Sequence, residues 1–333
     1  MSFQQRSSGA GEYPLECDYC QYPIPGDPVE SDDGVFCSAA CLEGDDGSPM
    51  PNPGAYKRIV TGVEPLDSLV PNGVPADAFV RLAGAAGTRR SELLTELVWR
   101  ALERGEPAVV VTATTPPTAV LERFFENGWN VLPALEDDRL RLVDCFTHDL
   151  TDRETDRERH SEWIEFVGKA AAESIVTVDH PDDVDVIRAR LTDALDALEM
   201  SETGLVTIDS LEVLARRLQG DRLHDTLLAL RATICKARYV PIVAATTAED
   251  GAVAVDDAAV FDGIVDLRIV DGLESETRQR QLGVRKLTGA RHLPQWIAYE
   301  YEPARGLFAL GSTTDPDRAL DRGPVERNPR TIQ

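Results

Sequence analysis

Four cysteines stand in two close pairs: Cys17-Asp18-Tyr19-Cys20 and, sixteen residues on, Cys37-Ser38-Ala39-Ala40-Cys41. Two such pairs joined by a loop can bring four thiolates around a tetrahedral zinc ion. A segment of about 30 residues buries too little core to fold alone, and metal binding supplies the missing stabilisation. All four positions would be protein ligands, so Cys17, Cys20, Cys37 and Cys41 are assigned to a structural zinc. Free or redox-active thiols are the alternative reading. Cys145 and Cys235 stand alone in apolar or helical surroundings and read as core residues.

A second cluster could hold phosphate. Gly84-Ala85-Ala86-Gly87-Thr88-Arg89-Arg90-Ser91 lies between an apolar run and an amphipathic stretch. The phosphate loop of nucleotide-binding proteins reads G-x-x-x-x-G-K-[ST]. Gly84 and Ser91 match that form. Arg89 replaces the second glycine, where a side chain would crowd backbone N–H groups approaching phosphate. Arg90 replaces the lysine; it keeps the charge but carries a planar fork instead of a compact ammonium. Gly84, Gly87, Thr88, Arg90 and Ser91 form the candidate phosphate-binding set, with the Ser91 hydroxyl able to hold Mg²⁺. The apolar run Gly204-Leu205-Val206-Thr207-Ile208 ends in Asp209, a carboxylate suited to a Mg²⁺-bound water; capping the next helix is its other reading. The pattern predicts weakened ATP and Mg²⁺ binding and impaired hydrolysis.

These residues need a scaffold that brings strand ends together. Apolar runs at 78–83, 108–113, 204–208 and 240–245 suit buried strands, and amphipathic helices are expected from Ser91 to Arg104 and from Val184 to Leu198. Continuous apolar strands alternating with helices imply a mostly parallel sheet covered on both faces, an α/β fold. Segments near 263–270, 280–287 and 296–311 read as hairpin-like strands. Residues 1–15 and 313–333 are expected to be disordered, 16–45 to form the zinc finger and 46–56 the linker. Residues 57–312 form the main domain, from which the charged run 151–160 would be a surface excursion.

The chain has 333 residues and a net charge of -24, from 58 Asp and Glu against 34 Lys and Arg. Only four of the cations are lysines: Lys57, Lys169, Lys236 and Lys286. High acid with scarce lysine resembles the composition of proteins from salt-in halophiles. The acidity argues against unaided nucleic-acid binding, because phosphates repel such a surface. No transmembrane run or signal peptide is evident, so a cytoplasmic protein without a membrane partner is expected.

Further stretches resemble KaiC-like proteins of the RecA superfamily. Arg58-Ile59-Val60-Thr61-Gly62-Val63-Glu64-Pro65-Leu66-Asp67-Ser68-Leu69 is similar to their opening motif, and Gly73-Val74-Pro75 to the step before the first core strand. Gly87-Thr88, Arg104-Gly105-Glu106-Pro107-Ala108, Asn127-Gly128-Trp129 and Lys286-Leu287-Thr288-Gly289-Ala290-Arg291-His292 follow in the family's order. The resemblance implies a RecA-type ATPase fold with nucleotide at a cleft between neighbouring subunits, towards which Lys286 would point. The cysteine segment resembles treble-clef or zinc-ribbon fingers with a Phe-Cys-Ser-x-x-Cys second knuckle.

The departures carry as much meaning. Members of that family that hydrolyse ATP have paired glutamates where this chain has Thr114-Thr115-Pro116-Pro117, and a hydroxyl is no general base near neutral pH. Thr288 stands where an arginine would reach the neighbouring nucleotide. With the loop, the base and the trans arginine all altered, no residue is assigned a catalytic role. The expected function is that of a regulatory or scaffold pseudo-ATPase. It would assemble with itself or a paralogue and recruit a protein partner through the finger, which has no Lys or Arg between Cys17 and Cys41. An active ATPase of signalling or recombination type and a DNA-associated RecA-like module are the alternatives.

Overall fold

A computed structural model describes residues 15, 17–19, 24, 26–31, 34–44, 57–150, 162–217, 220–247, 259–271 and 278–310. Cys20, the excursion at 151–160, the linker at 46–56 and the tail at 313–333 lie outside the described residues, as does nearly all of 1–15. The chain divides into two compact units, Met1–Lys57 and Arg58–Gln333.

The first unit is a hairpin followed by a short helix. Strands β1 (Val29–Ser31) and β2 (Gly34–Phe36) pair antiparallel, and α1 (Ala39–Gly44) follows. Phe36 is fully buried with Cys17 and Ile24. The Asp18 backbone N–H donates to Val35 O at 2.9 Å, and Val35 N–H donates to Asp18 Oδ2 at 2.6 Å. These bonds tie the first cysteine turn to the hairpin.

The second unit opens with β3 (Arg58–Ile59), α2 (Glu64–Leu69) and β4 (Val74–Pro75). Asp67 organises this opening turn. Its carboxylate accepts from the N–H and hydroxyl of Thr61 at 2.8 and 2.7 Å and from Gly62 N–H at 2.8 Å.

Core strands and helices then alternate. They are β5 (Phe79–Gly84), α3 (Arg90–Glu103), β6 (Ala108–Thr112), α4 (Pro117–Glu126), α5 (Leu132–Glu136), β7 (Leu140–Asp144), α6 (Glu162–Ala170), β8 (Ile175–Thr177), α7 (Val184–Ala197), β9 (Leu205–Ile208), α8 (Leu211–Arg217), α9 (Gly220–Leu230) and β10 (Ile242–Thr246). A π-helical turn at Arg231–Lys236 precedes β10. The chain ends its described part with β11 (Gly263–Asp271), β12 (Arg278–Leu287), β13 (Trp296–Glu302) and β14 (Gly306–Ala309).

Ten strands form one sheet in the order β14-β13-β12-β11-β5-β10-β9-β6-β7-β8. From β11 to β8 neighbouring strands are parallel; β11 to β14 form an antiparallel extension. Alternation places successive residues on opposite faces. Val110 of β6 packs with α3 and α4, while Val109 and Val111 pack with α7, α8 and α9. Each fully buried Leu, Val or Phe on these faces contributes about 1.5–3 kcal/mol of transfer free energy. Helix α3 buries Leu93, Leu97 and Ala101, one four-residue row, against the sheet. Strands β7 and β8 are additional to those read from sequence, because Leu-Arg-Leu-Val-Asp and Ile-Val-Thr are short and flanked by polar residues.

Candidate functional site

The carboxyl ends of parallel strands are where an open α/β sheet places its ligands. Here β5 and α3 supply the loop 84–91, β9 supplies Asp209, and β6 supplies Thr114. Strands β6 and β9 are neighbours, with Val111 opposite Ile208, so the chain leaving each strand meets the other. Asp209 N–H donates to Val111 O at 3.1 Å.

The loop begins with a close approach. A Cβ on Gly84 would meet Thr88 Oγ1 at 2.7 Å and Leu267 Cβ at 3.0 Å, so only glycine fits there. Thr88 is fully buried, and its hydroxyl donates to Ala85 O at 2.7 Å. Arg89 takes the left-handed conformation, φ 60° and ψ 33°, that a glycine would adopt without penalty. The residue walls the bowl above the loop, but its guanidinium is drawn to one side. It turns outward to Glu92 Oε1 at 2.7 Å and over the Tyr301 ring at 5.4 Å. The missing glycine thus leaves a non-glycine residue in a left-handed backbone conformation.

Arg90 folds back. Its Nη1 donates to Gly84 O at 2.8 Å and to Thr246 O, bridging the loop to the end of β10. Burial pulls its pKa down, opposed by Glu212 and Asp209. The loop is clamped on its other side. Arg280 Nε donates to Gly87 O at 2.9 Å, and the buried Tyr299 hydroxyl donates to Thr88 O. Above it lies an open cavity of about 380 Å³ walled by Ala85, Gly87, Arg90, Ser91 and Arg280. Ser91 is exposed at the first turn of α3. A phosphate fits this bowl: the glycine approach is intact, the helix start faces it and arginines rim it. Gly87, Arg90 and Ser91 line the place where that phosphate would sit, whereas Gly84 and Thr88 are buried beneath it, with the Thr88 N–H and hydroxyl both on Ala85 O; Ser91 with Asp209 would hold a Mg²⁺.

Asp209 is strongly engaged. Its Oδ1 accepts from Ala113 N–H at 2.9 Å, and its Oδ2 accepts from Thr114 N–H at 3.0 Å and the Thr114 hydroxyl at 2.6 Å. Burial nevertheless holds its pKa above the usual carboxylate value, against the opposing pull of the Thr114 and Ala113 bonds and of Arg123. Asp209 and Ser91 line the same small gap. Lys286 lies elsewhere. It pairs with Ile264 at the start of β11, six residues along β12 from Arg280, or roughly 20 Å from the loop at ~3.3 Å per residue. Its Nζ donates to Phe261 O at 2.7 Å. The structure thus gathers Gly84, Gly87, Thr88, Arg90, Ser91 and Asp209, and leaves Lys286 at the opposite end of its strand from the loop.

Arg123, Glu212, Arg280 and Tyr299 were not singled out from sequence. Glu212 is buried and accepts from Thr247 N–H, from the Thr247 hydroxyl at 3.1 Å and from Ser210 Oγ at 3.1 Å. Its position three residues after Asp209 was the only signal available. The other three come from distant elements and share no local pattern with the loop.

In the first unit the sulfurs of Cys17, Cys37 and Cys41 lie within 4.8 Å of one another, with Cys37 and Cys41 at 3.5 Å. With Zn–S bonds near 2.3 Å, sulfurs of a tetrahedral site stand roughly 3.8 Å apart. The three thiols therefore fit a zinc ion. Cys145 and Cys235 are fully buried in the second unit, and burial pushes the Cys235 thiol far up. Among the described residues no helix is long and apolar enough to cross a membrane.

Comparison with known proteins agrees with this architecture. The family model described as "ATPase: KaiC" matches residues 59–309. A UPF0273 protein of Methanopyrus kandleri is 29% identical over 280 residues, covering 81% of this chain and 98% of that one. A UPF0273 protein of Thermotoga maritima is 24% identical over 236 residues, covering 71% and 89%. The crystal structure of a KaiC-like protein from Pyrococcus horikoshii superposes with a TM-score of 0.58 at 20% identity, covering 76% of this chain and 98% of that one. With the phosphate loop, the strand-end aspartate and the RecA-like sheet in place, this chain belongs to the KaiC-like ATPase family.

Proposed function

We propose that this chain is a regulatory or scaffold member of its family, which holds a nucleotide weakly at the 84–91 loop and hydrolyses it slowly or not at all. The observation that carries this reading is the Thr114 hydroxyl on Asp209 at 2.6 Å. At the strand end where a general base would activate water, this chain offers a hydroxyl whose proton is committed to the metal-side carboxylate. The backbone and cation features of a phosphate site remain. Calorimetric titration with ATP and Mg²⁺ in molar KCl, followed by a phosphate-release assay, tests it. Binding without appreciable turnover is expected. Steady hydrolysis at ordinary enzyme rates, abolished by Asp209→Ala, would overturn it.

Assembly with a second copy or a paralogue belongs to the same reading. In that assembly Lys286, at the end of β12 away from its own loop, would have to leave Phe261 O to reach a neighbour's nucleotide. A structural zinc on Cys17, Cys37 and Cys41, with Cys20 as fourth ligand, would hold the finger, whose acidic surface suits a protein partner.

A further inference from the structure

Arg123 of α4 is a half-buried guanidinium with no hydrogen-bond or ion-pair partner among the described residues. The other half-buried arginines are engaged, as Arg81 is on the Thr246 hydroxyl, Arg231 on Asp262, and Arg280 on Gly87 O and Glu300. A guanidinium offers five N–H donors in a fixed fork, and no partner among the described residues takes those of Arg123. Its surroundings say what could. Arg123 lines the small gap that also holds Ser91, Thr95 and Asp209. It also faces a wider cavity of about 490 Å³, where Arg89 and Arg123 stand with Glu92, Glu126, Ser91 and Tyr301; the Glu92 carboxylate is already taken by Arg89. Asp209 lines the same gap and is drawn on electrostatically by Arg123, without a hydrogen bond or salt bridge between them.

We propose that Arg123 is an anion-binding residue of this cleft, and that from the α4 side it takes the terminal phosphate of a nucleoside triphosphate seated on the 84–91 loop. The inference rests on the nucleotide reading given above. Arg90, at the loop's usual lysine position, is held back on the Gly84 and Thr246 carbonyls, so the unengaged cation in the cleft is Arg123. A diphosphate lacks the group that Arg123 would hold. Arg123 therefore sets a preference for triphosphate over diphosphate, independent of hydrolysis.

The test is calorimetric titration of the full chain with ATP and with ADP, each with Mg²⁺ in molar KCl, for wild type, Arg123→Ala and Arg123→Lys. Wild type should prefer ATP. Arg123→Ala should weaken ATP binding by about tenfold or more, the worth of a charge-assisted bond. ADP binding and Tm should be unchanged, and Arg123→Lys should recover part of the loss. Equal ATP affinity in wild type and Arg123→Ala would overturn the inference while leaving the nucleotide reading intact. Failure of wild type to bind either nucleotide would overturn both. Equal loss of ATP and ADP binding with a lowered Tm would make Arg123 a structural residue and also overturn it.

Discussion

The Thr114 hydroxyl donates to Asp209 Oδ2 at 2.6 Å, on the same oxygen that accepts the Thr114 N–H at 3.0 Å. A glutamate at 114 would bring a second carboxylate to a group whose pKa burial already raises. Thr114→Glu should therefore lower stability at neutral pH by about 1–3 kcal/mol. A raised carboxylate pKa costs stability above the folded value, and that cost is relieved as pH falls through it. The gap between the Thr114→Glu and wild-type melting curves should narrow from pH 8 towards pH 5. A gap that widens on acidification would show that the two groups do not interact.

Zinc should be present at about one ion per chain in protein purified without chelator. Cys37→Ser should release it, as read by metal analysis and a chromophoric chelator. The three sulfurs within 4.8 Å motivate this expectation. Folded protein without metal in the first unit would refute it.

Arg89 at φ 60° occupies a conformation that costs a non-glycine residue about 1–2 kcal/mol. Arg89→Gly and Arg89→Ala both lose the Glu92 and Tyr301 contacts, so comparing them isolates the backbone. The glycine variant should be the more stable by about 1 kcal/mol, and it should bind nucleotide at least as well as wild type. Denaturant unfolding of the pair, with matched slopes, decides it. The alanine variant proving equal would mean that Arg89 is not held in this conformation in solution.

Glu96 is 1% exposed, and burial raises its pKa despite the Leu307 N–H at 2.7 Å and Arg100 Nη2 at 3.2 Å. This carboxylate latches α3 to the β13–β14 hairpin. A Cβ on Gly306, at φ 86°, would stand 2.2 Å from Glu96 Oε1. Gly306→Ala should destabilise by at least about 1–2 kcal/mol, visible as a lower Tm. An unchanged Tm would show that the latch does not form.

Self-association should strengthen as KCl rises from tenths of molar to molar. A chain of net charge -24 repels its copies until salt screens them, with a Debye length falling to about 3 Å at 1 M. Light scattering across salt, with and without ATP and paralogue, measures it. A monomer under every condition would leave Lys286 as an ordinary strand cation bonded to Phe261 O.

What the sequence determined by itself is local and periodic. Continuous apolar, β-branched runs such as Ala-Val-Val-Val-Thr at 108–112 suit strands buried on both faces, and a glycine loop between such a run and an amphipathic helix marks where phosphate would sit. The substitutions Arg89, Arg90 and Thr114 were legible because the loop and strand end have strict spacing. What those side chains do was decided by tertiary structure. Arg89 turns outward because Tyr301, more than two hundred residues away, lies beside it. Arg90 folds back because Thr246 ends the adjacent strand. Thr114 meets Asp209 because β6 and β9 are neighbours in a sheet whose order the chain does not follow. Arg123 and Tyr299 could not have been found from spacing. Their meaning lies in distances between elements that only the packed sheet and its antiparallel extension bring together.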